Sequence, residues 1–282
     1  MLVYLNGKFV PPEEAKVSVT DRGFLLADGV YEVARVYAGE PYLMAEHLER
    51  MANGLKALKI REPDLQEIED AARRLIRENG VDGDGTVYIQ VTRGAAPRKH
   101  AFPPADTPPT VYVAANPYKD HPASYFTEGV AAYLAPDNRW GRCDIKSIAL
   151  LPNVMANEAA HAAGGFEALF VKDGVVLEGS HSNLWGVRDG RLITYPASNY
   201  ILPGITRARV FELAGELGIP AEEGMIFQHE LYEFDELFLS GTTTEVMPVV
   251  KVDDRPIGDG KPGPVAKRLQ EAYRAAASSA SS

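Results

Sequence analysis

One cysteine, Cys143, occurs in 282 residues. A lone thiol closes no disulfide within the chain and builds no sulfur cage around a metal. It makes a reducing compartment, the cytoplasm, the expected location. Long apolar runs are missing as well, since a membrane-spanning helix needs about 20 such residues in a row. The opening Met1-Leu2-Val3-Tyr4-Leu5-Asn6-Gly7 has neither the basic start nor the apolar stretch of a secretory leader, so none is expected. Positive charge is scarce. Lys and Arg number 29 against 39 Asp and Glu, a net charge of -10, which argues against nucleic acid and anionic membrane surfaces as partners. Familiar site signatures are also absent. His229-Glu230 lacks the second histidine of a zinc-protease helix, and Gly260-Lys261 meets Pro262 where a P-loop has Ser or Thr. Gly179-Ser180-His181-Ser182-Asn183 lacks the second glycine of a nucleophile elbow, and no G-x-G-x-x-G follows an expected strand. Metal, nucleotide and serine-hydrolase chemistry are therefore disfavoured.

What remains is an ordinary globular composition, long enough for two domains with real cores. Asn6-Gly7 between Val3-Tyr4-Leu5 and Phe9-Val10 signals a hairpin, and residues 30–37, rich in β-branched and aromatic side chains, read as a strand. The period then changes. Leu48, Met51, Leu55 and Leu58 mark a helix over 45–58, and Leu65, Ile68, Ala72, Leu75 and Ile76 mark a second over 63–79. Strands are predicted at 86–92 and 110–115, separated by a proline-bearing loop that contains Arg98, Lys99 and His100. These elements make a smaller N-terminal α/β domain, residues 1–116, followed by a linker, 117–128.

The larger domain, 129–282, opens with a strand at 130–134 and an irregular loop that delivers Lys146. A helix is predicted over 150–163, hairpins at Asp173-Gly174 and Asp189-Gly190, and a helix from the Leu202–Arg207 loop through Leu217. Strands at 236–239 and 246–252, a helix over 264–275 and a frayed tail, 275–282, complete it. Strands and helices come in mixed order rather than strict alternation, which points to α+β.

Chemistry concentrates in a few stretches. Lys146 is followed by Ile148, Ala149, Leu150 and Leu151. A lysine beside an apolar run either snorkels to water or loses hydration and gains nucleophilicity. Gly204-Ile205-Thr206 precedes a helix and is either a plain N-cap or an anion site built from free N–H groups. Ser240-Gly241-Thr242-Thr243 is either a strand end or a second set of hydroxyl and backbone donors. Arg50 is a phosphate partner or a solvated helix residue, and Glu178 a site carboxylate or a hairpin-edge acid.

Taken together, four motifs in this order resemble the fold-type IV pyridoxal-phosphate enzymes. They are Asp144-Ile145-Lys146-Ser147, Glu178-Gly179-Ser180-x-Ser182-Asn183, Leu202-x-Gly204-Ile205-Thr206-Arg207 and Ser240-Gly241-Thr242-Thr243-x-Glu245. The resemblance runs from Tyr4 to Pro248, and Val30-Tyr31-Glu32-Val33 with Arg98-x-His100 is similar to the D-amino acid aminotransferases within it. It implies a two-domain α+β fold with pyridoxal 5'-phosphate held between the domains. Lys146 would form the aldimine and move the proton between Cα and C4′. Glu178 would face the pyridine nitrogen, and Arg50, Ile205, Thr206 and Thr242 would hold the phosphate. Tyr31, Arg98 and His100 would bind the substrate carboxylate, the last two reaching the neighbouring site in a homodimer. The implied reaction is ping-pong transamination between D-amino acids, such as D-alanine or D-glutamate, and 2-oxoglutarate or pyruvate. Branched-chain L-aminotransferase, (R)-amine transaminase and aminodeoxychorismate lyase chemistry are the alternatives on the same fold. His181 departs from the small polar residue expected at its position and is expected to face solvent.

Overall fold

The computed structural model describes residues 1–280. The chain forms two compact units. The first comprises Met1–Asp120 and Ile145–Ala149 with the end of the chain from Ala277, and the second His121–Asp144 and Leu150–Ala276. The short segment carrying Lys146 thus belongs to the first unit although it lies far along the chain.

In the first unit, β1 (Val3–Leu5) and β2 (Lys8–Val10) form the hairpin at Asn6-Gly7, where both residues have positive φ, 48° and 84°. That pair of conformations suits asparagine followed by glycine. A short helix, α1 (Arg22–Leu26), follows, capped by the Asp21 carboxylate on Gly23 N–H. Next come β3 (Gly29–Tyr37), β4 (Glu40–Pro41), α2 (Met44–Leu58), α3 (Leu65–Glu78), β5 (Gly85–Thr92) and β6 (Thr110–Pro117). The strands make one sheet in the order β2-β1-β6-β5-β3-β4. Asp64 caps α3 through Gln66 and Glu67 N–H, which ends the preceding loop where the helical period starts. The two helices cover the sheet, α2 on β3 and α3 on β6. Leu48, Met51, Leu55, Ile68, Leu75 and Ile76 meet Val30, Val36, Val87, Ile89 and Val113 in one core.

The second unit begins with α4 (Ala123–Thr127), inside the stretch expected to be linker, where the proline-bearing sequence carries no helical period. It continues through β7 (Val130–Pro136), α5 (Leu151–Ala162), β8 (Glu167–Lys172), β9 (Val175–Gly179), β10 (Asn183–Arg188), β11 (Arg191–Thr194), α6 (Ile205–Glu216), β12 (Ala221–Glu223), β13 (Ile226–Phe227), a 3-10 turn (Gln228–Glu233), β14 (Glu236–Gly241), β15 (Glu245–Val252), β16 (Arg255–Pro256) and α7 (Pro264–Ala280). Its ten-stranded sheet runs β12-β11-β10-β14-β15-β7-β8-β9-β13, with β16 beside β15. Both expected hairpins form, β8–β9 and β10–β11, with Asp173, Gly174, Asp189 and Gly190 all at positive φ. Mixed parallel and antiparallel pairing, β7–β8 parallel and β10–β14 antiparallel, gives the α+β order. The tail expected to fray does not do so over 275–280: α7 runs to Ala280, carried by alanines with high helix propensity, and Ala277 is buried. The last two residues of that expected tail lie outside the described residues.

Leu75 is fully buried in the first core. Leu75→Ala should lower unfolding stability by about 2–5 kcal/mol, read as a fall in the urea midpoint with an unchanged slope.

Candidate active site

Lys146 is delivered by backbone pairing. Its carbonyl accepts from Tyr31 N–H at 3.0 Å, and Ile148 N–H donates to Gly29 O at 3.1 Å, so residues 146–148 form a short antiparallel bridge to the start of β3. The irregular loop expected there is present, and this bridge holds it against β3. Gly29 packs closely on β5: a Cβ there would meet Val91 O at 2.7 Å, and the Ile148 side chain at Cδ1, 3.1 Å away. Ile145 and Ser147 are buried, and Lys146 between them is half-buried. Its Nζ lies 3.4 Å from the Tyr31 hydroxyl and 4.4 Å from that ring's centre. Tyr31 stacks on Tyr88, with ring centres 5.9 Å apart.

Side chains alternate along β3, so Glu32 points opposite to Tyr31, towards α2. Glu32 is fully buried. It accepts from Arg50 Nε and Nη2, both at 2.7 Å, and its Oε2 lies 2.7 Å from His47 Nδ1. Burial alone would raise the carboxyl, but the Arg50 guanidinium and His47 outweigh it and hold it at about 2. Burial pushes His47 below its ordinary value, against the pull of Glu32. The reading of Arg50 as a solvated helix residue is corrected: its side chain is 13% exposed and locked in a two-bond fork. Glu32 and His47 were given no role from the sequence. An acid on the otherwise apolar Val30, Ala34 and Val36 face of a strand, with His and Arg three apart on the next helix, was the available signal.

The second unit assembles the other candidates around Asn183. Glu178, at the end of β9, is buried rather than a surface acid. Arg139 Nη1 donates to its Oε1, Asn183 Nδ2 to its Oε2 at 3.0 Å, and Leu202 N–H to both oxygens at 3.2 and 3.1 Å. Burial pushes the Glu178 carboxyl up to about 7, although Arg139 pulls it down. Arg139 is itself forked onto Asp137 through Nε and Nη2, at 2.9 and 3.0 Å. Asn183 Nδ2 also donates to Leu202 O at 2.9 Å, tying β10 to the loop before α6. At Gly204 a Cβ would meet Asn183 Oδ1 at 2.1 Å, so only glycine fits.

Gly204 is the N-cap of α6, and no side chain caps it. Thr206 therefore lies inside the helix, not at its cap, and the first-turn N–H groups of Ile205 and Thr206 remain available to an acceptor. Strand pairing of Asn183 with Ser240 brings the Ser240–Thr244 turn to the same end of the sheet. Among the described residues, the Thr206 and Thr242 hydroxyls have no protein partner, and the Thr244 hydroxyl is buried without one. A helix start with open donors and nearby unpaired hydroxyls fits a phosphate monoester.

Arg98 and His100 are both exposed, and among the described residues their side chains form no hydrogen bond or ion pair. His181 is exposed, as expected, at 43%; its Nδ1 also lies 3.2 Å from Glu167 Oε1, and its N–H donates to the same oxygen at 2.7 Å. Glu167, fully buried, also accepts from Ser182 Oγ at 2.9 Å and so shapes the turn after Glu178. Cys143 is buried, its thiol pushed up to about 11 by burial. Among the described residues no cluster suited to a metal ion occurs, and no helix is long and apolar enough to cross a membrane.

Known proteins share this outline. The family model for amino-transferase class IV matches residues 29–252. A D-alanine aminotransferase of Staphylococcus aureus (strain N315) is 40% identical over 272 residues, 96% of each chain. That of Bacillus licheniformis is 40% identical over 281 residues, covering 97% of this chain and 96% of its own. Among solved structures, the branched-chain amino acid aminotransferase of Escherichia coli superposes with a TM-score of 0.90 at 30% identity, covering 97% of this chain and 93% of that one.

Glu32 yields a pH prediction. An ordinary glutamate titrates near 4.5, and Glu32 in the fold at about 2. Its folded value is depressed, so its contribution to stability is complete above pH 4.5 and lost as the pH falls towards 2. In urea titrations, the stability advantage of the native chain over Glu32→Gln should be largest near neutrality and shrink across that interval. A gap that widens on acidification contradicts the assignment.

Proposed function

This chain belongs to the class IV aminotransferases, and from that premise we propose that it transfers amino groups between D-amino acids, such as D-alanine and D-glutamate, and 2-oxo acids, such as 2-oxoglutarate and pyruvate, with pyridoxal 5'-phosphate. The observation that carries the reading is the Lys146 amine held beside the Tyr31 phenol at 3.4 Å by backbone bonds to β3. The D-series substrates are supported by the similarity to D-alanine aminotransferases along nearly the whole chain.

When bound, the cofactor supplies an electron sink for the pair left when the substrate Cα–H bond breaks. Lys146 Nζ would take that proton and return it. Its backbone is bonded to β3 on the Ser147 side, which would keep its base in place while the side chain moves. Glu178 would hold a proton at the ring nitrogen. Its own orientation is set by Arg139, Asn183 and Leu202 N–H, which occupy both of its oxygens. A carboxyl poised near 7 can share that proton rather than surrender it outright. Ile205, Thr206 and Thr242 would bind the phosphate, two of them through helix-start N–H groups. Tyr31 gives the substrate carboxylate a phenolic donor.

Arg98 and His100 complete that carboxylate site from the neighbouring subunit of a homodimer. Their lack of partners within the described chain supports this, as do exposed large apolar side chains: Phe24 and Phe102 near the loop, and Leu151, Val154 and Met155 along α5. The lone cysteine supports a cytoplasmic location. A branched-chain L-substrate is the second reading, favoured by the similarity to the Escherichia coli enzyme.

Absorbance separates the two. After loading with pyridoxal phosphate, D-alanine should bleach the yellow band, 2-oxoglutarate should restore it, and L-leucine should leave it. Bleaching by L-leucine alone would move the enzyme to the branched-chain reading. Lys146→Ala should stay folded and lose the band and all turnover. Arg98→Ala should raise KM for D-alanine by about tenfold or more, the scale of a lost charge-assisted bond. Light scattering should give twice the chain mass, and a fully active monomer would remove the partner's role.

A further inference from the structure

The loop that carries Arg98 and His100 has no strand or helix to fix it. Over residues 97–109 it contains Pro97, Pro103, Pro104, Pro108 and Pro109, and its side chains from Arg98 to Phe102 are exposed. Its shape must come from what grips its backbone. Two contacts set its entrance: Ala96 N–H donates to Thr20 O at 3.1 Å, and Arg22 N–H to Gly94 O at 3.0 Å. Gly94 is required there, with φ +87°, and a Cβ on it would lie 2.0 Å from Pro108 O. Farther along, Arg61 Nη1 donates to Asp106 O at 3.3 Å.

The grip on the Arg98–His100 segment itself comes from one buried guanidinium. Arg22 is 3% exposed. Its Nη1 donates to Lys99 O at 2.6 Å and reaches Ala101 O at 3.5 Å, the two carbonyls on either side of His100. Its Nε donates to Asp28 Oδ2 at 2.7 Å. Asp28 is shared. Arg93 Nε and Nη2 donate to its two oxygens at 2.8 and 2.9 Å, and the Arg93 guanidinium lies 3.8 Å from the centre of the Phe102 ring. Arg93 is in turn fixed by the Leu58 and Lys59 carbonyls at the end of α2, both at 2.8 Å. Burial raises the Asp28 carboxyl, but the two guanidinia outweigh it and hold it below the usual range. Two cations packed against one anion would repel if the anion were removed. Asp28 therefore both aims Arg22 and makes room for Arg93 beside it.

We propose that Arg22 and Asp28 are positioning residues for the substrate carboxylate: they lock the backbone around His100 so that Arg98 and His100 present their donors at a fixed spacing. The proposal rests on the carboxylate role given above to Arg98 and His100. Carboxylate recognition by a guanidinium and an imidazole depends on angle as well as distance, so a loop free to shift by an ångström loses affinity. Neither Arg22 nor Asp28 need touch the substrate.

The test uses the cofactor-loaded enzyme with Arg22→Lys and, separately, Asp28→Asn. In each, KM for D-alanine and for 2-oxoglutarate should rise by about tenfold while kcat changes by less than about threefold, the pattern of lost binding rather than lost chemistry. The yellow absorbance should be unchanged. Hydrogen exchange of the Arg22 and Ala96 amides, which are bonded at the loop's entrance, should accelerate by about tenfold, with the core strands unaffected. Arg98→Ala added to either variant should raise KM far less than it does in the native chain, because both changes disable one device. Additive effects on KM, unchanged exchange in the loop, or accelerated exchange throughout the molecule would each overturn the proposal. If Arg98→Ala by itself leaves KM for D-alanine at the native value, the carboxylate reading of the loop falls instead, and a loop that still loosens in Arg22→Lys separates the two failures. Should Arg22→Lys fail to fold, Asp28→Asn, which keeps the guanidinium, carries the same comparison.

Discussion

A carboxylate removed from water must find donors for its lone pairs or give up its charge. Four such groups organise this protein. Glu32 is met by Arg50 and His47, Asp28 by Arg22 and Arg93, Glu178 by Arg139, Asn183 and a backbone N–H, and Glu167 by the turn that follows Glu178. Each pairing joins residues from separate elements, so each fixes the relative placement of those elements at a point where chemistry is assigned. The outcomes differ by environment. Guanidinium forks keep Glu32 and Asp28 ionised, whereas burial against one guanidinium shared with Asp137 leaves Glu178 near 7. The same residue type thus serves as a fixed counter-ion in one place and a proton-sharing group in another.

Glycine and backbone pairing supply the second constraint. Lys146 owes its position to two main-chain bonds with β3, one of them accepted by Gly29 O. The start of α6 owes its open donors to Gly204, which admits the Asn183 amide where a side chain would collide. In both cases the functional groups are set by the scaffold, not by the flexible chain that bears them. A mobile lysine on a rigid base can exchange partners without losing its place, which is what a proton shuttle requires.

Much of this was legible beforehand. The hairpin at Asn6-Gly7, the stripe from Ile68 to Ile76 and both aspartate-glycine turns formed as local pattern dictates. Local pattern failed where the signal is short or non-local. The five-residue helix from Arg22 is too brief to show a period, and its start depends on Asp21, which also accepts from Thr92 and Thr110 across the sheet. The sequence left Arg50 between phosphate partner and solvated helix residue, because Glu32, which faces it, lies on a neighbouring strand. The contact of His181 with Glu167 is likewise non-local, since Glu167 comes from another strand.

The sequence by itself determined the element types, the α+β order, the four motifs and the family they resemble, because each is written in neighbours along the chain. Only the tertiary structure decided which acids meet which guanidinia, that Thr206 stands inside its helix and not at the cap, and that Lys146 is pinned to the strand bearing Tyr31. Those two residues are 115 apart in the chain. Their meeting is set by sheet register and by the burial of Ile145 and Ser147, which no local periodicity encodes.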